Sequence, residues 1–309
     1  MQAFGTVRRP GDVPAQTDSG KPVLVAYTPR ERQIKEMALE AAAARGVLNE
    51  ANELARDGVA RKEARHRSEA TTQQLLDYLD ELYAPESPDV VWFVCGREAS
   101  VGSYRELSQA ISKACDKTYR SCPKIGNEMI NCDRLSSAAA RAQRELAEAM
   151  VEGCNEERLG LEGFGPEVAV YLSLFEANGL HRKGRDGQWR FLPPSKSHAA
   201  FQAVWTRLTE LVAEAGHEGI GADELVECLC LPPFGLRKGP IPLLLTWFLL
   251  SRPDEVALFR EGAYVPVIDP ADIALLVKRP ELFTIREFAP EGIRQEVFEV
   301  YRRIIETDA

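Results

Sequence analysis

The apolar positions of residues 231–267 predict a helix followed by a short β-hairpin, which is the element order of a winged helix. The predicted helix runs from about Gly239 to Leu250 and is apolar on every side. Its apolar residues are Ile241, Leu243, Leu244, Leu245, Trp247, Phe248, Leu249 and Leu250. Because a helix without a polar face is typical of a buried core, this helix is not expected to enter a DNA groove.

Nearer the N-terminus, apolar residues recur at alternating three- and four-residue spacing after Pro29, which predicts a coiled-coil-like helix. The seam consists of Ile34, Met37, Ala41, Ala44, Leu48, Ala51 and Ala55. Asp57-Gly58 offers a turn, and a second helix is predicted from about Val59 to Tyr83. We interpret the pair as an antiparallel helical hairpin, with one continuous kinked helix as the alternative.

Two segments have the character of strands. Lys21 to Thr28 is a short apolar run, and Asp89 to Ser103 alternates around a turn near Gly96, which predicts a β-hairpin. Either the first strand joins the hairpin around Val90 to Cys95, or it belonged to a sheet in a larger ancestor.

Capping signals locate further helices. Ser103 and Glu106 have the spacing of a capping box, and Ser136 or Ser137 is placed to cap a helix that ends near Val151. Pro166 is placed to begin another, which Asn178-Gly179 ends.

A second β-hairpin is predicted around Asp186-Gly187, so a helix followed by a hairpin occurs twice. Helices over His198 to Ala215 and Ala222 to Cys230 precede the apolar helix, and two more are predicted over Pro270 to Val277 and Pro290 to Ile305.

These elements predict a mainly α fold with small β-hairpins, made of a helical hairpin plus winged-helix-like units. The expected divisions are a disordered lead-in at 1–22, a helical hairpin region with a short strand at 23–88, a hairpin plus helical domain at 89–159, one or more winged-helix-like domains at 160–268, and a C-terminal helical segment at 269–309.

Charge and hydropathy narrow the function classes. The net charge of −9 and the pI of about 5.2 argue against a dedicated nucleic-acid binder. The longest apolar run, Ile241 to Leu250, is too short to span a membrane, and the first 22 residues lack the apolar core of a secretory signal. A cytoplasmic protein without a membrane partner is expected.

The seven cysteines have no CxxC spacing, and we expect reduced, mostly buried thiols. Cys228 and Cys230 diverge by about 200° on a helix, which is poor geometry for a shared metal. We therefore predict no metal and no cofactor.

No catalytic motif is legible. Ser19-Gly20-Lys21-Pro22 lacks the first glycine and the final hydroxyl residue of a P-loop, and Gly163 and Gly165 do not follow a convincing parallel strand. A GxSxG nucleophile turn is absent, and no Cys–His pair is evident from sequence order. The sequence favours a structural or binding role over an enzyme.

Basic side chains supply the candidate contacts for a nucleic acid or a partner. One group lies on the second helix, at Arg61, Lys62, Arg65, His66 and Arg67; the others are Arg237 and Lys238, just ahead of the apolar helix, and Arg260 in the following hairpin. Solvated surface charge is the alternative interpretation of all of them.

A polar cluster comprises Asn127, Glu128, Asn131, Asp133 and Arg134. These side chains could hold a partner's backbone or a phosphate, or they could satisfy backbone groups in an irregular connection.

Four strings in this order resemble the region after the ATPase module in very large bacterial P-loop proteins of phage-defence loci, similar to the large ATPase of BREX-type systems. They are NEMIN (127–131), LSSAAARAQRELAEAM (135–150), GPEVAVYLSLFEANGLHR (165–182) and PPFGLRKGPIPLLL (232–245). The resemblance covers about Val23 to the C-terminus. Since the Walker loop and its acidic partner are missing, it implies a helical scaffold that assembles with other defence components or DNA.

The leading hypothesis is therefore a non-catalytic scaffold or interaction module with a protein partner, such as a P-loop ATPase. One alternative is a DNA-binding winged-helix subunit or regulator that contacts duplex DNA through the basic residues. Another is an enzyme whose site is assembled across domains.

Overall fold

A computed structural model describes residues 13–50 and 57–287 of the 309-residue chain. It is mainly α with small antiparallel sheets, as the sequence predicts. The chain forms two compact units, which divide between Thr118 and Tyr119. This boundary falls inside the segment 89–159 that the sequence suggested as one domain. Three predictions concern residues outside the described ranges: the start of the lead-in, the seam positions Ala51 and Ala55, and the helix from Pro290 to Ile305.

The first unit contains a three-stranded antiparallel sheet. Its strands are β1 (Leu24–Tyr27), β2 (Val91–Val94) and β3 (Arg97–Ala99), in that order across the sheet. The N-terminal strand therefore joins the later hairpin, which decides between the two alternatives above. Cys95 and Gly96 both have positive φ (49° and 73°), the conformation of a tight two-residue hairpin turn.

Two helices of the first unit, α1 (Glu31–Glu50) and α2 (Gly58–Leu82), pack along each other, which supports a helical hairpin. α1 begins two residues after Pro29. Asp57 caps α2, because its carboxylate accepts hydrogen bonds from the amides of Val59 (2.9 Å) and Ala60 (3.0 Å).

Residues 13–22 belong to the predicted disordered lead-in, and the structure differs there. Val13 is buried, Gln16 and Pro22 form a β-bridge, and the Thr17 amide donates to the Lys21 carbonyl at 2.9 Å. A Cβ on Gly96 would lie 3.0 Å from the Val13 carbonyl oxygen, so the segment lies directly against the hairpin turn.

Helix α3 (Tyr104–Thr118) completes the first unit. Its predicted cap is present: the Ser103 hydroxyl accepts from the Glu106 amide at 3.3 Å, and the Glu106 carboxylate accepts from the Gly102 amide at 2.8 Å. No residue of α3 is fully buried, although its pattern is strongly amphipathic.

The second unit begins with α4 (Ser137–Glu152), which Ser136 caps as predicted through its hydroxyl and the Ala139 amide (3.2 Å). Its other helices and strands are, in chain order, α5 (Pro166–Tyr171), β4 (His181–Lys183), β5 (Trp189–Phe191), α6 (Ala199–Ala215), β6 (Ile220–Gly221), α7 (Ala222–Cys230), α8 (Ile241–Leu250), β7 (Val256–Arg260), β8 (Ala263–Val265), α9 (Pro270–Lys278) and β9 (Phe283–Glu287). α5 continues into one π-helical turn, Leu172–Glu176.

Helix α8 lies at the centre of the second unit. Every residue from Ile241 to Leu249 is buried, including Thr246, whose hydroxyl donates to the Pro242 carbonyl at 3.0 Å. The prediction of a buried helix is confirmed. Trp247 packs against Trp205, with ring centroids 5.1 Å apart, and its indole N–H donates to the Leu192 carbonyl at 3.1 Å.

A four-stranded sheet lies beside this core in the order β6-β9-β7-β8. Residues 256–265 form the predicted hairpin, β7 and β8. Strand β9 was not predicted, and it is inserted between β6 and β7, where Ile285 faces both Ile220 and Leu258. The hairpin is therefore one edge of a larger sheet rather than an isolated β-hairpin.

Candidate interaction surfaces

Arg237, a candidate contact ahead of α8, is engaged within the second unit. Its guanidinium donates to Asp133 Oδ2 at 2.8 Å, and the Lys238 amide donates to Asp133 Oδ1 at 3.3 Å. Partial burial raises the pKa of Asp133, but the Lys238 amide and Arg237 outweigh it and hold the pKa below its ordinary value. The charge of Arg237 is therefore compensated, although its side chain remains exposed.

Arg260, at the end of β7, donates to Asp272 Oδ1 at 2.7 Å. The Asp272 side chain is 7% exposed, and its amide donates to the capping carboxylate of Asp269 at 2.7 Å. Burial, followed by the neighbouring Asp269, raises the pKa of Asp272 despite Arg260. Arg260 thus joins the β7–β8 hairpin to the start of α9.

The basic residues of α2 are arranged differently. Arg61, Lys62, Arg65, His66 and Arg67 are all exposed. At about 100° per residue, the first four fall within one arc of about 140°, while Arg67 lies outside it. Within residues 13–50 and 57–287, no carboxylate forms an ion pair with these side chains.

The polar cluster of residues 127–134 serves mainly to complete an irregular connection. Asn127 donates to the Ser173 hydroxyl at 3.2 Å and accepts from the Met129 amide at 3.1 Å. Asn131 donates to the Ile125 carbonyl at 3.5 Å. Glu128 and Arg134 are exposed. For Asn127 and Asn131, the geometry therefore favours a role in satisfying nearby backbone groups over a role in holding a partner or a phosphate.

The same connection is hydrogen-bonded to Gly239, which lies two residues before the start of α8. The Gly239 amide donates to the Cys132 carbonyl at 3.0 Å, and the Gly239 carbonyl accepts from the buried Gln143 amide at 2.5 Å. The segments around NEMIN, LSSAAARAQ and LRKGPIP therefore meet at one place, although more than 90 residues separate Gln143 from Gly239 in sequence.

Two open clefts differ in their charge. A cleft of about 570 Å³ in the first unit contains Arg30, Glu81, Glu86 and Asp89, and there Arg30 donates to both oxygens of Asp89 (3.1 and 3.2 Å). A second, which we name the β4–β5 cleft, measures about 530 Å³ and is lined by Arg182, Lys183, Gly184, Arg185, Asp186, Arg190 and Leu192.

Sequence reasoning missed the β4–β5 cleft. The signal was present in HRKGRDGQWR (181–190), where four cations flank the turn that Asp186-Gly187 predicts. The turn residues predict the hairpin, but they do not indicate that its cations line one cleft.

None of the seven cysteines forms a disulfide, and all seven are half-buried, so the expectation of mostly buried thiols is met only in part. Burial raises the pKa of the Cys122 and Cys154 thiols, which keeps them protonated. In the part of the chain that the structure describes, no three His, Cys, Asp or Glu side chains are grouped to hold a metal ion.

His181, at the start of β4, is buried within an aromatic cluster. Its Nδ1 lies 2.9 Å from the Tyr171 hydroxyl, and its Nε2 lies 2.9 Å from the Cys154 carbonyl oxygen. Because a carbonyl only accepts, Nε2–H donates to it and Tyr171 donates to Nδ1. Burial lowers the pKa of His181, which favours the neutral ring that these two hydrogen bonds require.

A pH dependence of stability follows. In the unfolded chain the pKa of His181 is about 6.5, and in the folded chain it is lower. The stability that His181 contributes is therefore fully present above about pH 6.5 and is lost as the pH falls from there through the folded pKa. We expect His181→Gln, which keeps polar atoms without titrating, to reduce the loss of unfolding free energy between about pH 7 and 5. The effect is at most about 1.4 kcal/mol per pH unit. Urea unfolding at several pH values measures it.

His217, which is exposed, provides the control. His217→Gln should leave the pH profile of the wild type unchanged. An unchanged profile in His181→Gln would contradict the assignment of a buried, neutral ring.

Comparisons with known protein families, with curated proteins and with solved structures give no match to the chain. Within the described ranges, no helix has both the length and the apolar character needed to cross a membrane.

Proposed function

We propose that this chain is a non-catalytic interaction module that binds another protein. The observation that carries the proposal is how little of itself the α1–α2 hairpin buries. The two helices span 20 and 25 residues, and their buried residues are Ala41, Ser68, Thr71 and Leu82. A hairpin of this length with so small a core is suited to packing against another surface.

Large apolar side chains of the hairpin are left in solvent. Leu39 is 61% exposed, Val47 55%, Val59 81% and Leu76 49%. Leu39 and Val47 are eight residues apart, about two turns, and therefore lie on neighbouring parts of one face. These side chains are the candidate anchors for the partner.

The order α6, α7, α8, β7, β8 in the second unit is the order we predicted for a winged-helix-like unit, with β6 and β9 added to its sheet, and it supports a scaffold role. On this interpretation α8 takes the position of a recognition helix, and the burial of Ile241 to Leu249 argues against a role of α8 in reading DNA. The resemblance to the region after the ATPase module of phage-defence P-loop proteins suggests such an ATPase as the partner.

DNA binding is the second candidate function. Of the candidate contacts, Arg237 and Arg260 are held by Asp133 and Asp272, so this hypothesis depends mainly on the exposed basic face of α2.

The interaction proposal is tested by crosslinking the tagged full-length chain in its native host and purifying it. We expect one partner, carrying a P-loop, whose recovery falls about tenfold or more in Leu39→Glu/Val47→Glu, the effect of losing a hot spot at an interface. Circular dichroism establishes that the variant keeps its helices.

Phe164→Glu/Val267→Glu is the matched control, because it places the same charges at exposed apolar positions of the second unit. It should recover the partner as the wild type does. If no protein depends on Leu39 and Val47 for its recovery, the hairpin is not the interaction surface and the proposal fails.

A further inference from the structure

The β4–β5 hairpin concentrates positive charge in a chain whose net charge is −9. Four cationic side chains line its cleft, Arg182, Lys183, Arg185 and Arg190, beside one carboxylate, Asp186. The local charge is thus opposite in sign to that of the whole chain. A cleft lined by one sign of charge attracts counter-ions even on a protein of the opposite net charge.

Arg182 and Arg190 face each other directly across the two strands. Like charges at directly opposite positions destabilise a hairpin, since their Cβ atoms are only about 5 Å apart. Arg190 is partly compensated, because it donates to Asp186. An anion bound between the two arginines would remove the remaining repulsion.

Arg182 is held differently from Arg190. Its guanidinium donates to the carbonyl oxygens of Gly179 and of Pro193, the latter at 3.0 Å, and burial lowers its pKa. Within the part of the chain that the structure describes, no carboxylate forms an ion pair with it. The guanidinium is therefore fixed in place with its charge uncompensated.

Of the remaining cations, Lys183 ends β4 and Arg185 lies in the turn of the hairpin. The Gly184 amide donates to the Gln188 carbonyl (2.8 Å), and the Gly187 amide donates to the Gly184 carbonyl (3.1 Å). Gly187 has φ 81°, which favours glycine, and a Cβ on Gly184 would lie 2.9 Å from Asp186 Oδ1. Arg185 is exposed at the tip of this closely packed turn.

We propose that the β4–β5 cleft binds the phosphate groups of a nucleic-acid backbone. The guanidinium forks of the arginines match phosphate oxygens in a bidentate arrangement. Arg182, Lys183 and Arg185 follow one another along β4 and into the turn, and all three line the cleft together with Arg190, so several phosphates of one strand can be contacted at once.

A nucleic acid carries one negative charge at every phosphate along its backbone. A protein segment is negatively charged only at the positions where its sequence has Asp or Glu. The backbone of a nucleic acid is therefore the ligand that best suits a cleft lined by four cations. Such contacts position the backbone without selecting a base sequence. This proposal does not depend on the interaction function of α1 and α2.

Fluorescence anisotropy tests the proposal with a labelled duplex of about 20 base pairs and with one of its single strands, at about 50 to 200 mM salt. In Lys183→Gln/Arg185→Gln, which leaves Arg182 and Arg190 in place, we expect the affinity for the nucleic acid to fall about tenfold. The slope of log K against log salt should decrease by about 2, since each lost phosphate contact removes about 1.

Arg97→Gln/Arg105→Gln is the matched control, because it removes two exposed cations from the first unit. Its affinity should stay within about twofold of the wild type, since it removes the same amount of charge without removing a cation that lines the cleft. An equal loss of affinity in the control variant would overturn the proposal. It would show that the nucleic acid is attracted by the protein's positive charges in general and not bound at the cleft.

Two other results would also overturn it. If a polyglutamate peptide displaces the labelled duplex as well as unlabelled duplex does at equal charge, the cleft takes an acidic protein segment. If Arg61→Gln/Arg65→Gln abolishes binding while the cleft variant does not, the nucleic-acid site lies on α2.

Discussion

Replacing Trp247 by Ala is expected to lower the free energy of unfolding of the second unit by about 3–5 kcal/mol, the range found when a buried aromatic side chain is truncated. Trp247 is fully buried in α8 and packs against Trp205. The substitution leaves a cavity and also leaves the Leu192 carbonyl without the indole N–H that it now accepts from. Urea unfolding followed by circular dichroism measures the change.

Phe164→Ala is the control for this experiment. The Phe164 ring is 103% exposed, so its removal should change the unfolding free energy by no more than about 0.5 kcal/mol. A loss below about 1 kcal/mol in Trp247→Ala would contradict the view that α8 forms the centre of the unit.

We expect Gly239→Ala to destabilise the second unit by about 1–3 kcal/mol, the usual effect of overpacking. An added Cβ would lie 2.1 Å from the Ile130 carbonyl oxygen and 2.9 Å from that of Cys132. Because these neighbours are backbone atoms, the connection must move and the hydrogen bond from Gln143 weakens. Thermal and urea unfolding measure the loss.

The same substitution at Gly46 should have the opposite sign. Gly46 lies within α1, and a Cβ there would meet nothing within 4 Å. Alanine is favoured over glycine inside a helix by about 0.5–1 kcal/mol, so Gly46→Ala should stabilise the first unit. If Gly239→Ala did not lower the free energy of unfolding, that result would contradict the close approach of Gly239 to residues 130–132.

Local chemistry made much of this fold predictable. Ser136 caps α4, Cys95 and Gly96 make the first hairpin turn, and Gly187 completes the second. Each signal acts within a few residues, so it can be interpreted without knowing what the segment packs against. The predicted burial of α8 rests on the same logic, because its apolar residues cover every side of the helix.

The candidate interaction surfaces were less predictable from the sequence. The sequence singled out Arg237, Lys238 and Arg260 for their charge, but charge alone does not reveal that Asp133 and Asp272 engage the two arginines. The β4–β5 cleft was overlooked for the converse reason. Its cations form one cluster only when the pairing of β4 with β5 places Arg182 opposite Arg190.

By itself, the sequence determined the class of the fold, most of its helix ends and the buried character of α8, because caps, turns and periodicity are short-range properties. The tertiary structure decided the place of β9, which becomes a strand by pairing with β6 and β7, and the partner of Arg237, which lies 104 residues away. Both depend on contacts between segments that are far apart in the chain. Such contacts cannot be recognised from the pattern of apolar and polar residues within either segment.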